Sequence, residues 1–269
     1  MRLASSPQPP ASTASYQALT AWYETPLGQH LLREEQRLVD QALERRFGYQ
    51  LLQLGCADLI LHGASQIGHK FSFCAHPDAT HCHNAVACGE AIPLANTSVD
   101  LVLLHHALDY SSEPHQLLRE ASRVLIAGGH MVIVGFNPLS TWGVRNRLQR
   151  GRSGNSPWES ARLSALRVSD WLKLLDFQVD SVHYGVYVLP LNMERVIRWN
   201  HWVEPLASRL NWPTGATYVI SARKQVAPLT PVQFKWPRLV PLGLSGREAT
   251  RVSGGCGRTP YRKWRNHAD

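Results

Sequence analysis

Cysteine and acidic residues are both scarce in this chain. It has five cysteines in 269 residues, an odd number, and four of them (Cys56, Cys74, Cys82, Cys88) fall within one short stretch. That excludes the evenly spread disulfide framework of a small secreted domain and suits a reducing, cytoplasmic compartment. No apolar run approaches the roughly 18 residues of a membrane-spanning helix, so no membrane span is expected. Residues 1–15, MRLASSPQPPASTAS, lack the apolar h-region of a secretory signal and read as a disordered leader. Acidic residues number 20 against 28 lysines and arginines, and the deficit is local. Residues 225–269 hold eight basic side chains and two acidic ones, so +6 of the net +8 lies there. Proline and glycine break any periodicity in that stretch, which predicts a disordered basic tail. It would serve as a solubilising end, or as a contact for RNA or another anionic partner. In the second case Arg and Lys neutralise phosphate while Trp236, Tyr261 and Trp264 stack on bases.

What the chain does have is a 44% apolar fraction, enough for a sizeable core. Residues 16–48 form an N-terminal extension whose stretch 16–47 reads as helix. Leu31, Leu32, Leu38, Val39, Ala42 and Leu43 share one stripe there, with charges opposite. Tyr49–Leu54 and Lys70–Cys74 read as strands, Asn84–Ala87 as a short third, and residues 58–66 as a short helix between the first two. Val99–Leu104 is an apolar run interrupted only by Asp100, which suits a strand buried on both faces. His105–Tyr110 turns polar, as a loop would. Pro114 opens a helix whose Leu117, Leu118, Ala121, Val124 and Leu125 recur at helical spacing, and Gly128-Gly129 is expected to stop it. Met131–Phe136 follows as a strand, parallel to the previous one. Further on, a helix is expected at Trp142–Gln149 and another at Asp170–Leu175 with Ser169 as N-cap. A strand is expected at Phe177–Val188, a helix rich in tryptophan at Asn192–Leu210, and a last strand at Ala216–Arg223. The alternation predicts an α/β fold: a Rossmann-like, doubly wound sheet of about seven strands.

In such a sheet, ligands bind beyond the carboxyl ends of the strands where strand order reverses. Those ends are Gly55-Cys56-Ala57-Asp58, Cys74-Ala75-His76, Cys88-Gly89-Glu90-Ala91 and Leu104-His105-His106. Around them the order of signals resembles the class I S-adenosylmethionine-dependent methyltransferases, most closely the type 11 family. The phrase NTSVDLVLLHHALDYSSEPHQLLREASRVLIAGGHMVI carries the resemblance. Asn96, Asp100, Leu108, Pro114, Leu118, Arg119, Glu120, Arg123, Val124, Leu125, Gly128 and Gly129 all fit the family's pattern. The similarity spans residues 49–224, with its core motif region at 52–134, and GATYVISARK resembles the family's last, antiparallel strand.

The resemblance implies S-adenosylmethionine as cofactor. It places Gly55, Cys56 and Ala57 where the family's glycine motif approaches it. Ala57 and Leu59 stand for the second and third glycines, and Gln53 for the preceding acid. Cys74 and His76 occupy the end of strand two, where the family carries an acid for the ribose hydroxyls; the nearest acid here is Asp78. The small-acid-small segment matches Cys88, Gly89, Glu90 and Ala91, with Glu90 on the adenine amino group, or Cys88 in an alternative register. Leu104 and His105 close the cofactor set.

Methyl transfer from a sulfonium mainly needs donor and acceptor held about 3–3.5 Å apart, with a base where the acceptor is a hydroxyl or protonated amine. His105 and His106 are the candidate bases, since imidazole titrates near neutral pH. Asp109 and Tyr110 would orient the acceptor, and Tyr23 would close over the cofactor as a lid. The run Cys74, His76, Asp78, His81, Cys82, His83, Cys88 is rich in metal-ligand types but lacks a C-x-x-C, so no metal site is expected there. The predicted function is S-adenosylmethionine-dependent methylation of a small-molecule acceptor. Two readings stand beside it: a methyltransferase fold kept as a non-catalytic binding module, and an RNA-modifying enzyme that uses the basic tail.

Overall fold

The β4–β5 pair at the centre of the molecule follows from two apolar runs joined by an amphipathic helix. Val99–His105 forms β4, Pro114–Val124 forms the helix, and Leu125–Phe136 forms β5, parallel to β4. The computed structural model describes residues 18–55, 59–74, 85–86, 91–148, 163–187 and 212–225, all within one compact unit, Met1–Ala227. The strands β1 (Gln50–Gly55), β2 (His69–Cys74), β3 (Ala85–Val86), β4, β5, β6 (Phe177–Gly185) and β7 (Thr217–Lys224) make one seven-stranded sheet. Its order is β3-β2-β1-β4-β5-β7-β6. Neighbours from β3 to β5 are parallel; β7 runs antiparallel to both β5 and β6. This is the doubly wound α/β sheet that the alternation predicts, with the antiparallel last strand that the family resemblance implies.

The helices, numbered along the chain, are α1 (Pro26–Leu43), α2 (Ala107–Tyr110), α3 (Pro114–Val124), α4 (Thr141–Leu148) and α5 (Ala165–Leu174). Alternation along each strand divides the core. Leu52, Leu54, Val102, Leu104, Ile133 and Ile220 pack against Leu117, Leu118, Ala121 and Val124 of α3 and Val168 and Leu172 of α5. Leu51, Leu101, Leu103, Val132, Val134 and Val219 point to the other face and pack against Leu38, Val39 and Leu43 of α1. The N-terminal extension is therefore one of the sheet's two covering layers.

Several elements differ from the sequence reading. The N-terminal helix is interrupted: residues 18–23 are helical, Glu24 and Thr25 break the run, and α1 restarts at Pro26. Thr25 caps it by accepting from the Gly28 N–H. Residues 59–66 form no helix. The Gln53 side chain holds this segment instead, donating to the Leu59 carbonyl and accepting from Leu61 N–H. Helix α3 ends at Val124, before the glycines, because β5 begins at Leu125; Gly128 and Gly129 lie inside the strand. Gly129 is needed for packing, since a Cβ there would press on the Asp100 carbonyl and the Leu125 side chain. Helix α5 starts at Ala165 with Ser164 as its cap, and Ser169 is an interior residue bonded back to the Ala165 carbonyl. The predicted helix at 192–210 and the tail beyond 225 lie outside the described residues. No helix among the described residues is long and apolar enough to cross a membrane.

Candidate functional site

Strand order reverses between β1 and β4, and the carboxyl ends meeting there line up in one row. Cys74 is the Cα partner of Gly55, Gly55 is the partner of His105, and Val86 is the partner of Cys74. Four strand ends far apart in sequence thus come level at the switch point, where open α/β sheets bind ligands. Gly55 has φ 132°, a backbone region that side chains disfavour, and a Cβ there would collide with the His105 carbonyl. Glycine is required at this junction of β1 with β4. Of the predicted cofactor residues, the structure brings Gly55, Cys74 and His105 into this row. Leu104 sits one position inside it, with its side chain in the α3-side core. Ala91 is exposed at the start of the next described segment. Cys56, Ala57, His76, Cys88, Gly89 and Glu90 lie outside the described residues.

The segment after Ala91 is pinned. Arg123 donates to the carbonyls of Ile92 and Leu94 and to Asn96 Oδ1, while Glu120 holds the Arg123 guanidinium and accepts from Ile92 N–H. The Leu-Arg-Glu and Arg-Val-Leu signature is thus largely a clamp for this loop. Asp100 is also a clamp, since its Oδ2 accepts from Tyr49 and Gln50 N–H and fixes the start of β1 against β4.

Beside the row lies a closed cluster that His106 creates. Consecutive strand residues normally point to opposite faces. His106 adopts φ 51°, breaking that alternation, and both imidazoles reach one carboxylate. That carboxylate is Glu35 of α1. It accepts from His105 Nε2 at 3.3 Å, from His106 Nε2 at 3.0 Å and from the Tyr23 hydroxyl at 3.0 Å. The other His106 nitrogen, Nδ1, donates to Asp109 Oδ2 at 3.0 Å, which also accepts from Phe136 N–H. Glu35, His105 and His106 have no solvent exposure. The expected polar loop at 105–110 is a strand end followed by the buried turn α2.

Burial acts on every group of the cluster, and pairing decides the outcome. Burial alone would raise the Glu35 carboxyl, but the His106 charge and the two imidazole hydrogen bonds outweigh it and bring it down to about 2. Burial would lower His106, yet the Glu35 charge and the hydrogen bonds from Asp109 and Glu35 lift it to about 9. His105 is lowered, chiefly by burial, and Asp109 is raised, again chiefly by burial. Glu35 and His106 therefore form a buried ion pair, with His105 neutral beside it.

Glu35 is the residue that sequence reasoning missed. Its signal was present: a carboxylate four residues after Leu31 and three before Leu38 sits on the apolar stripe instead of the charged face. Tyr23, expected as a lid over the cofactor, is buried against His105 and bonded to Glu35. Gln53, at the position of the family's acid, is committed to the Leu59–Leu61 segment.

A methyltransferase-domain family profile matches residues 65–133. The uncharacterized protein YafS of Escherichia coli is 32% identical over 210 residues, covering 78% of this chain and 82% of YafS. The chain belongs to the type 11 family of class I S-adenosylmethionine-dependent methyltransferases. Solved structures agree on this methyltransferase fold. A SAM-dependent methyltransferase of Thermotoga maritima superposes with a TM-score of 0.56 at 15% identity, over 78% of this chain and all of the other. The methyltransferase solved with the Trm112 activator of Haloferax volcanii gives 0.55 at 16% identity, over 79% of this chain and 98% of the other. The profile match starts after β1, so it includes neither Gly55 nor Glu35. Helix α1, with the carboxylate it carries, lies outside the matched region, as do β1, α4, α5, β6 and β7.

Proposed function

We propose that this chain binds S-adenosylmethionine at the β1–β4 switch point and methylates a small-molecule acceptor. The observation that carries the reading is the row of strand ends at the switch point, where Gly55, level with Cys74 and His105, brings bare backbone close against β4. Gly55, Cys56 and Ala57 would approach the cofactor by backbone, His76 would offer the ribose an acceptor, and Glu90 would accept from the adenine amino group. S-adenosylmethionine, if bound there, would supply an activated methyl group for in-line transfer, its sulfur keeping the bonding electrons. What the chain itself must do is hold the acceptor in line and exclude water. For a hydroxyl acceptor His105 is the candidate base, and activity that survives His105→Ala removes that role.

Isothermal titration calorimetry with S-adenosylmethionine and S-adenosylhomocysteine tests the reading. Binding that disappears in Gly55→Asp and Glu90→Lys supports it, and no heat at millimolar ligand defeats it. The second reading, a non-catalytic binding module, is favoured by one observation: both candidate bases are sealed and committed to Glu35. Tight cofactor binding with no methyl transfer to any acceptor in a broad panel would establish that reading.

A further inference from the structure

We infer that Glu35, His105 and His106 form a binding site for a divalent transition-metal ion, zinc foremost, which ties helix α1 to the end of β4. Three ligand atoms, one from each residue, lie within 4.8 Å of one another. The two imidazole Nε2 atoms stand 3.3 and 3.0 Å from the Glu35 oxygens. Ligand atoms at about 2.0–2.1 Å from a tetrahedral zinc ion are themselves about 3.3 Å apart, the spacing of each imidazole–carboxylate pair. Because the two imidazoles meet different Glu35 oxygens, side-chain rotation must bring the three ligand atoms from within 4.8 Å onto one point. Two imidazoles and one carboxylate are a ligand set that zinc accepts.

Three further features fit a metal site. His106 Nδ1 donates to Asp109 Oδ2, which is itself held by Phe136 N–H. A carboxylate on the far nitrogen is the usual outer partner of a metal-bound histidine, because it orients the ring and raises its basicity. The left-handed backbone at His106 is what turns two consecutive imidazoles toward one point, and such strain persists where the surrounding structure enforces it. The charges also balance. Glu35 and Asp109 are two buried carboxylates whose ion pairs are to histidines alone among the described residues. One divalent cation compensates both. The Tyr23 hydroxyl, 3.0 Å from Glu35 Oε2, is placed beside the ion. All three ligands are sealed from solvent, so the fourth tetrahedral position would be filled from within the cluster or by an enclosed water. His105 then acts as a ligand instead of a base.

This site shares no residue with the cysteine- and histidine-rich run at 74–88, and the test must tell the two apart. The full-length protein is purified without chelator, equilibrated with micromolar zinc, desalted and analysed for metal. Close to one equivalent of zinc is expected, lost in Glu35→Ala and His106→Asn. X-ray absorption on the wild-type protein should show nitrogen and oxygen ligands with two imidazoles. That measurement decides the matter even if the variants do not fold. A metal content near zero overturns the inference, as does metal retained in both variants or sulfur in the coordination shell.

Discussion

At the scale of single residues, His106 and Glu35 are each other's strongest charged partner among the described residues. Their ion pair makes stability depend on pH in chelator-treated protein, and the sign differs for each partner. The His106 contribution is complete below its ordinary 6.5 and disappears as pH rises through about 9. The Glu35 contribution is present above its ordinary 4.5 and disappears as pH falls through about 2. The thermal midpoint should therefore fall between pH 6.5 and 9, and this alkaline limb should flatten in His106→Asn. Equal alkaline slopes for the two proteins would show that the pair is not what titrates. The pairing itself was not legible in the sequence. His105 and His106 stood out as functional candidates, but their partner lies far upstream in α1, and a carboxylate on an apolar stripe gives no hint of what it meets.

At the scale of elements, helix caps and strand ends account for most differences between expectation and structure. The apolar stripe of α1 was readable, but its start was not, since Thr25 competes with an uninterrupted helical pattern around it. Replacing Thr25 with alanine removes the acceptor for Gly28 N–H and should cost about 1 kcal/mol, measured by urea unfolding. The same loss should appear as faster amide exchange confined to the first turn of α1. Gly128 and Gly129 misled for a different reason. Glycine after an amphipathic helix usually marks its end, but here β4 offers partners as far back as Val99, paired with Leu125, so the strand starts at once. The Arg123–Glu120 clamp gives the family signature a physical reason: it is the wiring that holds the loop after β3.

At the scale of the molecule, the sheet needs two covers, and the family-matched region supplies only one of them. Leu51, Leu101, Leu103, Val132, Val134 and Val219 are covered by α1. Deleting residues 1–45 should expose this face and abolish cooperative unfolding, with binding of a hydrophobic dye as a second readout. A truncated protein that still melts in one sharp transition would show that the extension is dispensable. Periodicity and order of elements sufficed to determine the α/β class and the parallel strands with their carboxyl ends, because these follow from local spacing of apolar residues. The antiparallel last strand was legible only through the family resemblance. Only the tertiary structure decided that Gly55 meets His105, that α1 belongs to the core, and that Glu35 closes on two histidines. Those are contacts between residues far apart in sequence, and local pattern carries no term for them.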